Sequence, residues 1–412
     1  MRCALIGEKL SHSYSRLIHK KFGMYSYDLV ELPPDNLKEF VEHGGYDAFN
    51  VTIPYKSAII PYIDKVETLA MQIGAINTVC RLGGKTYGYN TDILGMAYML
   101  KRAGIALGGK HVMIFGSGGT GKTAEMLAKK NGAASITVVS RSGSVNYKNF
   151  YELQQTQIII NTTPVGMYPY SDISLADLSK FRNLEAVADV IYNPMRTRLM
   201  LQARELNLKY AGGLYMLVAQ AKYSMDIFVK NRHPDEIIEQ VYKYLLSRII
   251  NIVLVGMPGS GKTSIGKAVA RRERRRYVDS DAEIVASEGR AITEIFAEKG
   301  EEYFRKKEKQ TLFLLGSQNG MVISTGGGAV LDRENYYSLK ANGGIYYLER
   351  EITDLATRGR PLSTGTEALK KLLEQREPLY KAFADVTVEN DGDFFSCVDK
   401  ILEDIASENF DN

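Results

Sequence analysis

The 412-residue chain is sparing with cysteine, close to balanced in charge, and without any long apolar run. Its three cysteines, Cys3, Cys80 and Cys397, lie far apart and are odd in number, so they offer neither a metal-binding spacing nor a disulfide framework. Such usage is the habit of a reducing compartment, with each thiol a small buried side chain. The opening "MRCALIGEKL" lacks the apolar stretch of a secretory signal, and no segment approaches a membrane span, so a cytoplasmic soluble protein is expected. With 52 Lys and Arg against 48 Asp and Glu, the net charge of +4 suits a binder of small anions and makes no case for a nucleic-acid or membrane partner. Solenoid repeats and low-complexity tracts are missing too. So are a metal-ligand cluster and a Ser/His/Asp arrangement.

What is present is a chain too long for one ordinary core, with 45% hydrophobic and 24% charged residues, so two or three globular domains are expected. Short apolar runs alternate with helical stretches. "RCALIG", "YDAFNVTI", "HVMIFG", "SITVVSR", "QIIINTT" and "EAVADVIY" read as strands in the first half, and "NIVLVG", "MVISTGG" and "GGIYYLE" in the second. Such alternation predicts α/β layers with largely parallel sheets. "PDEIIEQVYKYLLSR" reads as a closing helix, and "IINIVLVG" begins a new strand at once. That places a domain boundary near residue 248, giving domains 1–247 and 248–412. "ALGGK" (106–110) is a second joint, dividing the first domain into subdomains of about 1–105 and 106–215, with closing helices to 247.

Two glycine strings carry the chemistry. "GSGGTGKT" (Gly116 to Thr123) fits both the dinucleotide fingerprint G-x-G-x-x-G and the P-loop pattern G-x-x-x-x-G-K-[ST]; "GMPGSGKT" (Gly256 to Thr263) fits the P-loop. The second string lies between a strand and a helix, as a P-loop requires. Gly256, Gly259 and Gly261 would let backbone N–H groups turn inward around phosphate oxygens, with Gly259, Ser260 and Gly261 on the nucleotide. Lys262 would reach the outer phosphates, and Thr263 would join a Mg²⁺ shell. Downstream, Asp279 and Asp281 sit two apart at a strand end, and Arg305 and Glu308 share a helix face. "STGGGAV" sets three glycines at another strand end, and Arg360 and Arg376 follow. The basic run "RRERRR" (271–276) reads as a solvated helix end.

In this order the strings over about 249–405 resemble the shikimate kinase family. The resemblance implies a P-loop α/β domain with a parallel sheet and ATP and Mg²⁺ as cofactors. It implies that Asp281, Arg305, Gly327 and Arg376 bind shikimate, the aspartate through hydroxyls and a guanidinium fork through the carboxylate. Arg360 would belong to a lid over the nucleotide and stabilise charge on the transferring phosphate, and Asp279 would lie near the metal and the attacking hydroxyl.

In the first half, "KLSHSYS" offers serine hydroxyls two apart, "FNVTIPYK" ends in Lys56, "GAINTV" brings Asn77 and Thr78, and "GYNTDILG" brings Asn90, Thr91 and Asp92. A lysine and an aspartate among hydroxyl-binding residues make a site for a polyhydroxy keto acid, with Lys56 donating a proton to a carbonyl oxygen and Asp92 orienting it. The strings over about 1–247 resemble the shikimate dehydrogenase family, which implies a substrate-binding α/β subdomain followed by a Rossmann-like subdomain for NADP(H). It places Ser13, Ser15, Thr52, Asn77, Asp92, Tyr192 and Gln220 on the substrate, and Lys56 and Asp92 in catalysis. Val190 and Gly213 would approach the nicotinamide. Gly116, Ser117, Gly118, Gly119 and Thr120 would take the pyrophosphate, leaving Lys122 and Thr123 as the start of a helix.

Where the family commonly has Asn-Arg-Thr after the second cofactor strand, this chain has Ser140, Arg141 and Ser142, with no acidic residue to accept ribose hydroxyls. A guanidinium there favours the 2′-phosphate, hence NADP. The expected function is a fused enzyme, reducing 3-dehydroshikimate and then phosphorylating shikimate. Its rivals are an NAD-using quinate/shikimate dehydrogenase fused to the kinase, and a non-catalytic sensor of the same metabolites.

Overall fold

The computed structural model describes residues 1–10, 13–355, 366–390 and 392–407. The chain divides into two compact units, Met1–Leu245 and Leu246–Asn412. The division falls inside the helix Glu236–Ile249.

The first unit holds two sheets. One comprises β1 (Arg2–Gly7), β2 (Ser26–Glu31), β3 (Ala48–Val51), β4 (Lys65–Val66), β5 (Thr78–Leu82) and β6 (Lys85–Tyr89), in the order β2-β1-β3-β5-β6-β4. β1, β2 and β3 are parallel, but β5 runs antiparallel to both β3 and β6. The reversal is made by Gly83 and Gly84, whose φ values of 56° and 74° are those of a two-residue hairpin turn. The other sheet comprises β7 (His111–Phe115), β8 (Ser135–Val139), β9 (Ile158–Asn161), β10 (Ala186–Asp189) and β11 (Lys209–Gly212). It is all parallel, in the order β11-β10-β9-β7-β8.

Helices cover both faces of this second sheet, and its central strands are apolar except at their ends, at His111, Asn161 and Asp189. Val112, Ile114, Ile158, Ile160 and Ala188 pack toward the helices Asp92–Arg102 and Gly119–Lys130. Their neighbours Met113, Phe115, Ile159 and Val187 pack the other way, against Phe150, Phe181 and Leu199. The helices Asp92–Arg102 and Gly213–Val229 cross closely at Gly95, where an added Cβ would stand 2.6 Å from the Met216 carbonyl oxygen and 2.9 Å from Gln220 Cβ. The closing helix is held by Tyr242 stacked on Tyr215 at 3.6 Å, and by Glu239, which accepts from the Tyr98 and Tyr215 hydroxyls.

The second unit is built on five parallel strands: β12 (Asn251–Val255), β13 (Arg276–Asp279), β14 (Met321–Ser324), β15 (Gly343–Glu349) and β16 (Val386–Glu389), ordered β13-β14-β12-β15-β16. Val253, Val255, Ile323, Ile345 and Tyr347 meet Leu312, Leu315, Tyr380 and Phe383 in its main core. The basic run corrects one expectation. Arg275 is not solvated: its side chain is 6% exposed, and its guanidinium donates to the Ser247 carbonyl at 2.6 Å and to the Ile250 carbonyl. Arg271, Arg272 and Arg274 are exposed as expected, with Arg272 paired to Asp399. All three cysteines are free and buried. Among the described residues no helix is long and apolar enough to cross a membrane.

One buried histidine gives the first unit a pH dependence. His19 stacks on Tyr27 at 3.8 Å, faces the Tyr25 hydroxyl at 2.7 Å and is 1% exposed. Burial lowers its pKa from 6.5 to about 3. Between those values the unfolded chain takes up the proton and the folded chain does not, so stability is complete above pH 6.5 and declines as the pH falls below it. Urea unfolding at pH 7 and pH 4.5 will show the first unit weakening on acidification. His19→Phe, which keeps a stacked ring, will flatten that slope by on the order of 1 kcal/mol per pH unit.

Candidate functional sites

In the first unit a lysine, an aspartate and two amides converge from four places in the chain. Lys56 lies in the short helix Tyr55–Ala58 that follows β3, and Asp92 opens the helix Asp92–Arg102. Lys56 Nζ donates to Asp92 Oδ2 at 2.7 Å; the side chains are 17% and 7% exposed, so the pair is largely out of water but reachable. Asn77, just before β5, donates through Nδ2 to Asp92 Oδ1 at 2.9 Å and to Gln220 Oε1 at 3.2 Å. The site therefore offers a proton donor, a carboxylate that orients it, and two amides able to meet hydroxyl groups.

The dinucleotide-type loop follows β7. Gly116 has φ 103°, and an added Cβ would stand 2.7 Å from Thr162 Oγ1. At Gly121 the Cβ would lie 2.1 Å from the Gly116 carbonyl oxygen, so helix and strand pack there backbone to backbone. Gly118 caps the helix Gly119–Lys130 with nothing within 4 Å of its Cβ position, and first-turn N–H groups have no intrahelical acceptors. That combination of open backbone and helix N-terminus fits a pyrophosphate. A Cβ on Gly119 would be 4.0 Å from Lys56 Cβ, which puts the loop beside the Lys56–Asp92 pair. Thr123 is fully buried and its hydroxyl donates to the Gly119 carbonyl, so it is a helix residue and not a metal ligand. Ser140 and the exposed Arg141 follow β8, with no acidic residue before Glu152, a setting fit for a phosphorylated ribose.

Asp189 closes this side of the site. It is fully buried at the end of β10 and accepts from the Thr197 hydroxyl at 2.7 Å, the Ile191 N–H at 3.0 Å and the Asn161 amide at 3.1 Å. Burial pushes its pKa up to about 6 against those three bonds. The carboxyl fixes the turn that carries Val190 and Tyr192. At Gly213 a Cβ would lie 2.0 Å from the Val190 carbonyl oxygen, so the two nicotinamide-side candidates touch. Tyr192 packs on Tyr14 with ring centres 5.5 Å apart, bringing the serine segment alongside. Ser13 Oγ accepts from the Ser15 N–H at 3.2 Å. Among the described residues, Ser13, Ser15 and Thr52 make no hydrogen bond to the Lys56–Asp92 cluster.

In the second unit, β12 leads through Gly256, Gly259 and Gly261, all at positive φ, into the helix Lys262–Glu273. Lys262 Nζ lies in the loop's own curve, donating to the carbonyls of Gly256 and Met257 at 2.8 and 2.9 Å. Ser260 is fully buried. The Thr263 hydroxyl is 3.3 Å from Asp279 Oδ2, an all-oxygen pair that fits Mg²⁺, while Asp279 Oδ1 caps the helix Ser280–Glu288.

Across from the loop, the glycine run after β14 leaves space that neighbouring side chains fill. A Cβ on Gly326 would meet Asp281 Oδ1 at 2.5 Å and Glu308 Oε1 at 3.1 Å; on Gly327, Pro258; on Gly328, the Arg305 guanidinium at 2.3 Å. The Gly327 carbonyl accepts from Arg376 at 2.9 Å and from the Tyr380 hydroxyl at 2.5 Å. Arg305 donates to Glu308 at 2.7 Å and to Glu301 at 3.0 Å. Glu308 is 1% exposed, and burial raises its pKa while Arg305 pulls it down. Asp281, Arg305, Gly327 and Arg376 thus form one cluster able to hold an anionic polyol. Arg360 lies outside the described residues. Sequence reasoning passed over Tyr380, Tyr14 and Ser224. Ser224 alone had a signal, one turn after Gln220 on a shared helix face.

Both units are similar to proteins of known families. The model for the shikimate dehydrogenase substrate binding domain matches residues 5–79, and the shikimate kinase model matches residues 258–406. A shikimate dehydrogenase (NADP(+)) of Clostridium perfringens is 32% identical over 265 residues, covering 59% of this chain and 98% of that protein. The crystal structure of shikimate dehydrogenase 1 from Peptoclostridium difficile matches with a TM-score of 0.56 at 34% identity, over 59% of this chain and 97% of that one. A chorismate mutase/shikimate 5-dehydrogenase fusion protein from Clostridium acetobutylicum matches with a TM-score of 0.57 at 33% identity, over 59% of this chain and 96% of that one. The chain belongs to the shikimate dehydrogenase family and carries, fused behind that enzyme's fold, a shikimate kinase domain.

Proposed function

We propose that the chain is a cytoplasmic two-step enzyme. Residues 1–247 reduce 3-dehydroshikimate to shikimate with NADPH, and residues 248–412 phosphorylate shikimate to shikimate 3-phosphate with MgATP. The observation that carries the first half is the 2.7 Å Lys56–Asp92 contact held beside Gly119 of the dinucleotide loop. Bound NADPH supplies the hydride that the carbonyl carbon accepts. Lys56 gives its proton to the carbonyl oxygen, Asp92 keeps the ammonium aimed, and Asn77 and Gln220 hold the substrate's hydroxyls. Arg141, with no acidic residue nearby in sequence, supports NADP over NAD.

The second half rests on the Asp281–Arg305–Gly327–Arg376 cluster facing the P-loop glycines. Arg305 and Arg376 supply the positive charge for the substrate carboxylate, with Glu308 holding Arg305 in place. Asp281 accepts from substrate hydroxyls. Lys262 and the loop N–H groups hold the nucleotide phosphates, and Thr263 and Asp279 supply oxygens for the metal.

The purified chain will oxidise shikimate with NADP⁺ and, separately, consume ATP in the presence of shikimate. Lys56→Ala will lower only the first activity, by about 10³-fold, and Lys262→Ala only the second. Loss of both activities from either substitution, in a folded protein, would overturn the two-site reading. For cofactor choice, initial rates with NADP⁺ and NAD⁺ are compared: Arg141→Ala will raise KM for NADP⁺ by about tenfold and leave that for NAD⁺ unchanged. An equal change for both cofactors would mean that Arg141 does not read the 2′-phosphate.

A further inference from the structure

Ser224 lies one turn beyond Gln220 on the helix Gly213–Val229 and is completely buried. Its Oγ stands 2.8 Å from Asn50 Nδ2, 2.7 Å from Thr78 Oγ1 and 3.0 Å from Thr91 Oγ1. Those partners come from β3, from β5 and from the residue that caps the helix Asp92–Arg102. All three are themselves buried, so none can trade a lost partner for bulk water. A single hydroxyl ties the Gln220 helix to the two strands and the helix end that present Asn77 and Asp92.

The direction of the protons follows from groups that have only one role. Asn50 Nδ2 faces the Asn77 carbonyl oxygen at 3.1 Å, an acceptor only, so its NH₂ also points at Ser224 and the serine accepts there. Ser224 then gives its one proton to Thr78 or Thr91. The Thr78 hydroxyl faces Asn77 Oδ1 at 3.1 Å, and the Thr91 hydroxyl lies 3.2 Å from that oxygen and accepts from Asn77 Nδ2 at 3.0 Å. Asn77 Oδ1 also accepts the Thr91 backbone N–H at 2.7 Å, which can only donate. With its oxygen engaged on this side, the Asn77 amide is held in one orientation, its Nδ2 toward Asp92 Oδ1 and Gln220 Oε1.

We infer that Ser224 is a positioning residue of the dehydrogenase site, acting through Asn50, Thr78 and Thr91 to fix the Asn77 amide and so the affinity for the substrate's hydroxyls. The inference rests on the functional reading above. Ser224 bonds to neither Lys56 nor Asp92, and the direct bond between those two does not pass through it. Removing its hydroxyl therefore acts on substrate binding more than on the chemical step. A purely structural role would give the opposite split, because a smaller folded fraction lowers apparent kcat and leaves KM alone.

The test is steady-state oxidation of shikimate by the full chain, wild type beside Ser224→Ala and Ser224→Cys. Ser224→Ala will raise KM for shikimate about tenfold, the order expected when a buried hydrogen-bond partner is lost, and lower kcat less than about threefold. KM for NADP⁺ will stay within about twofold, because the pyrophosphate loop lies outside the network. The cysteine, close in size and a weak donor and acceptor, will fall between wild type and alanine, and it carries the test if the alanine variant does not accumulate. An unchanged shikimate KM in the variants, or a fall in kcat alone, overturns the inference while wild-type turnover upholds the functional reading. A wild-type chain that does not oxidise shikimate overturns both.

Discussion

The contact between Lys56 and Asp92 joins residues 36 apart in the chain, one after β3 and one at the start of a helix. The first unit is arranged around the need to hold it in a partly dry place. An ammonium and a carboxylate withdrawn from water need their remaining hydrogen-bonding capacity met, and Asn77 meets it for the carboxylate. Asn77 needs fixing in turn, and the antiparallel β5–β6 hairpin does so by returning Thr91 to within reach of its side chain. Gly95 lets the Gln220 helix come close enough to complete the cluster. The parallel sheet then needs only to deliver the dinucleotide loop beside it.

The second unit solves a related problem with backbone. Its Asp281–Arg305–Arg376 cluster is set around three consecutive glycines whose missing side chains make room for Asp281, Arg305 and Pro258. The Gly327 carbonyl, held by Arg376 and Tyr380, fixes the loop against the helix Thr366–Phe383. Glu308 is held close to Arg305 within the same cluster, so a buried carboxylate and a guanidinium stabilise each other before any ligand is considered.

Much of this was legible in the residue order. Strands buried on both faces announce themselves as apolar runs, and all nine runs read as strands lie on strands. Lys56, Asn77, Asp92 and Gln220, all picked out from the residue order, stand in contact with one another. Sheet edges were harder: β2 and β4 at the two edges of the first sheet and β11 at one edge of the second are short or mixed in polarity, and their pairing depends on partners elsewhere in the chain. Arg275 shows the limit of composition, since a charge run gives no hint that one member turns inward onto carbonyls. Ser224 meets Thr78 across 146 positions, a contact that only the folded helix creates.

The two glycine strings, alike in letters, differ in where the helix begins. Within "GSGGTGKT" the helix starts at Gly119, which makes Lys122 its fourth residue; within "GMPGSGKT" it starts at Lys262 itself. Three residues of helix amount to about 4.5 Å along the axis and about 300° around it. Lys122 is thereby carried up and away from its loop, whereas Lys262 stays in the mouth of its own. The register of helix onset against the glycines, and not the glycines themselves, decides whether such a loop keeps its lysine for a triphosphate or leaves its open backbone to a dinucleotide.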